Sequence, residues 1–200
     1  MGGISEENVE WAVVNRLKAM LDHPPQTHFN VTLGFSLFCT ILLWTKNRMW
    51  IRDAASPADE QALIAREQLG KTPILDPPWD LSRTFPTGQG TGDVNADFAE
   101  MPAWDFFKWL RDAVAHGDGR TIQPLHWTSS ATGKEWLGGF RVEFNRTNGH
   151  AEILTLHLFK RDIQNLGQKL ADLFCQHLAR GDDYHFRDSA TLRMLEEDSN

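Results

Sequence analysis

The chain has few cysteines, fewer basic than acidic side chains, and no long uninterrupted apolar run. Cys39 and Cys175 cannot build a disulfide framework, and read as buried thiols of a reducing compartment. Twenty Lys and Arg against 27 Asp and Glu leave a net charge of −7. That excludes a broad basic face for coating a duplex, but not a local phosphate site. The longest apolar stretch, residues 31–44, is broken by Thr32, Ser36 and Thr40. It falls short of the ~18 uninterrupted residues of a membrane span, so a helix buried on most sides is expected. Residues 1–7 are acidic and lack a signal core, which points to a cytoplasmic protein and leaves the sequons at Asn30 and Asn145 without weight. His23, His28, His126, His150, His157 and His177 show no metal-binding spacing, so neither metal nor cofactor is expected. Gly88, Gly90 and Gly92 lack the flanking strand and helix of a phosphate loop and read as linker, while Gly70-Lys71-Thr72 follows a helix where a P-loop needs a strand.

What the chain does have is a 41% hydrophobic composition with eight tryptophans, enough for a sizeable core. Its length fits one domain over residues 1–180, followed by a polar acidic tail at 181–200. Ser5 can cap a first helix with the stripe Val9, Val13, Leu17, Met20, ending before Pro24-Pro25. A second helix over about 28–48 is apolar nearly all round, as a central helix is. Ser56-Pro57 with acidic residues behind it opens a third helix, with Gly70 closing it. Residues 70–97 carry prolines and glycines without periodicity and read as a long, mobile loop.

A fourth helix starts near Pro102 and stops at His116-Gly117, with Gly117 in the left-handed conformation. The period then changes to two. Phe140, Val142 and Phe144 alternate with Arg141 and Glu143, Asn148-Gly149 signals a turn, and residues 153–159 return as a strand. Residues 121–127 form a third strand held at an edge by Pro124. A last helix carries Ile163, Leu166, Leu170, Leu173, Phe174 and Leu178 on one face. The expected fold is mainly α: a helical bundle with a β-hairpin or small antiparallel sheet, residues 120–159, inserted before the last helix.

The chemistry concentrates on the fourth helix. With Lys108 set at 0°, Phe106, Leu110, Ala113 and Val114 fall at roughly 140° to 240° and form the buried face. Arg111 lies near −60°, Ala115 near −20°, Asp112 near 40° and His116 near 80° (all on the same 100° geometry), one polar arc with a small residue in its middle. A permanent cation and a titratable imidazole thus flank room for a ligand. Asp112, four residues before His116, is placed to hold its ring. Trp104, near −40°, can stack a base or anchor a dimer contact. The same residues also fit a plain ion pair and a helix-ending histidine that suits the C-terminal dipole.

The fragment Leu110-Arg111-Asp112-Ala113-Val114-Ala115-His116-Gly117 resembles the Arg-x4-His motif of the HEPN superfamily. The bare spacing is unspecific, since eight His and thirteen Arg in 200 residues give about half a match by chance. Arg180 and His185 match it too, but across a helix-breaking Gly181-Asp182-Asp183. The helical context is what singles out the first match, and the layout extends the likeness loosely over residues 5–180. A β-hairpin before the last helix is similar to some plasmid-borne HEPN groups. The resemblance implies a homodimer with two Arg–His motifs in an interfacial cleft. It also implies metal-independent RNA cleavage of the kind found in toxin–antitoxin and phage-defence systems. Arg111 and His116 would be catalytic with Asp112 in support, and Lys108 and Trp104 would contact RNA. An antitoxin or regulatory protein would be a further partner. Asp112 stands where Asn is frequent, and Asp118 replaces the Tyr of groups modified by nucleotide transfer. The alternative is a non-catalytic HEPN-like module binding RNA, a nucleotide or a protein.

Overall fold

The computed structural model describes residues 9–24, 29–117, 120–129, 131–146 and 152–178. Ser5, His28, Asp118, the Asn148-Gly149 turn, His150, the Arg180–His185 pair and the tail at 181–200 lie outside them. The described chain is mainly α: α1 (Val9–Asp22), α2 (Asn30–Met49), α3 (Pro57–Lys71), α4 (Ala103–His116) and α5 (Lys160–Leu173). Between α4 and α5 runs a three-stranded antiparallel sheet of β1 (Ile122–Thr128), β2 (Glu135–Arg146) and β3 (Glu152–Phe159), in the order β1-β2-β3. No helix among the described residues is long and apolar enough to cross a membrane.

α2 is the axis of the fold because its apolar residues leave no polar face along most of its length. Phe38, Ile41, Leu42 and Met49 are fully buried, and α1, α4 and α5 pack around them. Each such side chain contributes roughly 1.5–3 kcal/mol on leaving water. α5 supplies Ile163, Leu166 and Leu170, with Phe174 and Leu178 continuing the face through a short π-helical turn (Phe174–Leu178). The sheet obeys the period of two: Leu154, Leu156 and Leu158 are buried, whereas Ile153 is exposed. Phe140 and Val142 share that inner face, and Phe140 stacks on Phe35 of α2 at 4.2 Å. Pro124 sits on β1, an edge strand, where its missing N–H costs no ladder bond.

Four expectations change. The first helix packs Leu17 against the core as expected but not Val9 or Met20, which are exposed; its fully buried residues are Val14 and Leu21. Adjacent apolar residues allow either stripe, and docking chooses the one whose Leu21 meets Gly167 of α5. A Cβ at Gly167 would come within 2.7 Å of Leu21 Cδ1. Ser56 does cap α3, its hydroxyl accepting from Asp59 N, but Gly70 does not end the helix, which runs to Lys71 before Pro73. Gly117 is extended at φ −69°, not left-handed. It is needed instead for a close approach, since a Cβ there would lie 2.2 Å from Ala113 O.

The fourth change is the largest. The segment expected to be a mobile loop is irregular but packed, with Ile74, Leu75, Trp79, Leu81 and Val94 in the core. Bridges between Pro73 and Pro102 and between Thr84 and Asp93 close it on itself, so Gly88, Gly90 and Gly92 form a turn rather than a linker. Asn95, at φ +58°, fastens it to the sheet. Its side-chain amide donates to Ser82 O (2.8 Å) and His157 O (3.0 Å) and accepts from His157 N (2.8 Å). Buried Asp162, at the start of α5, accepts from Ser82 N and Oγ and from Phe159 N, tying loop, strand and helix together.

Candidate functional site

α4 forms where the sequence places it. Pro102 fixes the entry, and Ala103, Phe106, Phe107 and Leu110 are buried against α2 and α3. The polar arc is therefore turned outward in part. Arg111 keeps 26% of its side chain exposed, Lys108 is half-buried, and His116 is exposed in the last turn.

Asp112 is paired with its neighbour: Arg111 Nη1 lies 3.0 Å from Asp112 Oδ1. Among the described residues it makes no bond to His116, the role expected of it from spacing alone. The reason is reach. Arg111 has a long side chain that folds across the same arc, and a full charge attracts the carboxylate more strongly than a ring at the fraying end of the helix. Arg111 Nε is buried without a hydrogen-bond partner, and its guanidinium carbon is 5.9 Å from the ring centre of Trp50.

Arg111 opens onto a cluster that no motif announces. Lys46 of α2 is only 1% exposed, and its ammonium sits 2.9 Å from the centre of the Trp104 ring and 3.5 Å from Trp104 O. The Arg66 guanidinium of α3 lies 4.8 Å from the same ring, and Arg66 Nη1 also donates to Ile51 O. Trp50, just after α2, stacks near-parallel on Trp104 at 6.3 Å and is 57% exposed. Leu63, Arg66, Glu67, Gly70, Lys71 and Trp104 line a shallow cleft of about 450 Å³ beside it. Among the described residues no carboxylate pairs with Lys46, Arg66 or Lys108.

Burial is the main force on Lys46, and the charges of Arg111, Arg66 and Lys108 add to it; Asp105 opposes them weakly. Together they lower its pKa to about 7. Trp104, Lys108 and Arg111 are thus brought to one place, although Trp104 meets protein cations before any base. His116 stands apart at the helix end. Spacing missed Lys46, Trp50 and Arg66. Lys46 follows Leu42 by four residues on the buried side of an otherwise apolar helix, and Trp50 follows Lys46 by four. A lone lysine in such a stripe was the available signal.

No family model, curated protein or solved structure matches this chain.

Proposed function

We propose that the protein is a HEPN-like, metal-independent endoribonuclease that works as a homodimer through Arg111 and His116. The observation that carries the reading is the setting of Arg111. It is a partly exposed guanidinium with an unpartnered Nε, on the rim of a cation-rich patch in an acidic protein, with an exposed imidazole farther along the same helix. Such a patch attracts a phosphodiester locally without a basic surface overall.

In this mechanism neutral His116 takes the proton of the substrate's 2′-hydroxyl, or His116 of the second subunit protonates the leaving 5′-oxygen. Arg111 neutralises the charge gained by the pentacoordinate phosphorus, its planar fork suiting two oxygens. The nucleophile belongs to the substrate, so no metal is needed, and the products carry 2′,3′-cyclic phosphate and 5′-hydroxyl ends. Asp112 must release Arg111 for this, and an incoming phosphate is a competitor of the right charge. An isologous contact through α4 would bring two motifs together. A toxin or phage-defence role, with an antitoxin or regulatory protein holding the enzyme in check, fits this activity.

The Arg111–Asp112 pair favours a second reading, a non-catalytic HEPN-like module whose arginine is already spent. Labelled mixed RNA incubated in EDTA separates the two. Cleavage by the wild type to cyclic-phosphate ends, reduced about 10²–10⁴-fold in His116→Ala and lost in Arg111→Ala, supports the enzyme. Equal background from all three folded proteins supports the module, and 3′-hydroxyl products would sink the mechanism.

A further inference from the structure

Four cations (Lys46, Arg66, Lys108 and Arg111) from three helices share one corner of a protein whose net charge is −7. Lys46 is buried with only a ring face and a distant carbonyl for company. Burying an ammonium without a counter-ion is costly, and adding cations around it raises the cost. Arg111 Nε, beside it, is a buried donor without a hydrogen-bond partner, as Arg48 Nη2 is elsewhere on α2. Asp112 pairs with Arg111 and Asp105 acts on Lys46 only at a distance, so the corner holds more positive than negative charge and can take a further anion. It also carries an aromatic surface, because Trp50 stacks on Trp104 and remains 57% exposed, far more than a tryptophan kept for packing.

We propose that Trp50, Arg66 and Arg111, arranged around the buried Lys46–Trp104 pair, form the binding site for one nucleotide of single-stranded RNA. Its base stacks on Trp50 and its phosphate is held by the guanidiniums. The choice of RNA rests on the endoribonuclease reading; the site itself does not. An unpaired base with a phosphate one sugar away satisfies both halves of the cluster together. A stacked duplex offers no free base face, and an acidic peptide would leave the indole uncovered. Stacking tolerates any base, so the site fixes the register of the strand beside Arg111 without reading its sequence. Lys46 stays beneath Trp104, where the bound phosphate stabilises its ammonium form and strengthens the hold of that cation on the ring.

The test measures binding rather than cleavage. It uses the full chain carrying His116→Ala, so that RNA survives, and fluorescein-labelled ten-nucleotide oligo(U) and oligo(A) in anisotropy titrations at two salt concentrations. Both oligomers should bind with similar affinity, and a hairpin duplex more weakly. Trp50→Ala should weaken binding roughly five- to 150-fold, the 1–3 kcal/mol of one stacked base. Arg66→Gln should lower the slope of log Kd against log salt by about 0.7, one phosphate contact to a single strand. Trp136→Ala removes another exposed tryptophan, on β2, and should change binding less than twofold. The proposal is overturned if Trp50→Ala binds like its parent, if Trp136→Ala loses as much, or if polyglutamate displaces the RNA at equal charge concentration. RNA binding that depends on Trp50 in a protein that never cleaves would remove the nuclease reading and keep this one. Cleavage that survives Trp50→Ala with KM unchanged would do the reverse.

Discussion

Lys46 and Arg48 are two residues apart near the end of the same helix, both are buried cations, and their surroundings are opposite. Arg48 is paired with an acid and a carbonyl, and only its Nη2 lacks a hydrogen-bond partner among the described residues. Its Nη1 meets Asp59 Oδ1 at 2.9 Å, its Nε donates to Leu178 O at 2.8 Å, and Glu10 lies 3.9 Å from it. It clamps the end of α2 to the start of α3 and the last described turn. Lys46 points the other way, toward α4, and finds an indole and three more cations. A buried ion pair holds elements in register. A buried ion without a partner is a standing cost, and one that an incoming anion can relieve. Two positions along a helix are about 200° apart, which is enough to separate a structural clamp from a candidate site.

The sharpest way to break this comparison is to remove the clamp's anion. Asp59→Ala strands the Arg48 guanidinium and should cost about 3–5 kcal/mol in urea unfolding; a loss under 1 kcal/mol would erase the distinction. Lys46→Met should act in the opposite direction, stabilising the isolated protein by on the order of 2–4 kcal/mol at pH 6. The sign follows from linkage. The Lys46 pKa is lowered from 10.5 to about 7, so the unfolded chain binds more protons between those values and wild-type stability rises with pH across that window. The advantage of Met should therefore be full below pH 7 and fade toward pH 10.5. A constant difference would mean that the Lys46 pKa is the same in the folded and unfolded chain.

Asn95→Ala leaves Ser82 O and His157 N and O without their partner, and should cost about 1–3 kcal/mol, with earlier proteolysis between Thr72 and Pro102. If the segment is only loosely held, neither effect will be seen. The smallest effect belongs to the exposed Lys71–Glu67 pair. Lys71→Ala should leave the unfolding midpoint unchanged, marking how little an open ion pair does beside the two buried cations.

Much of the fold was legible because it rests on periodicity. The α5 face from Ile163 to Leu178, the alternation of β3, the Ser56 cap and the limits of α4 all follow from spacing and end signals. The packed segment before α4 was not. Trp79, Val94 and Asn95 have partners far along the chain and repeat at no interval, so no local pattern distinguishes them from loop. The site divides in the same way. Arg111, Lys108 and Trp104 share an arc of one helix and could be read from it; Lys46, Trp50 and Arg66 reach them from two other elements.

Helix and strand periods act between near neighbours, so residue spacing was enough to read a mainly helical chain, a small antiparallel sheet before the last helix, and a polar arc of α4 that carries Arg111 and His116. Tertiary structure alone decided which stripe of α1 is buried, that the proline-rich segment joins the core, and that Asp112 turns to Arg111. It also surrounded a buried lysine with three cations and no paired carboxylate. Docking angles and charge proximity are properties of elements brought together, and no spacing along one element contains them.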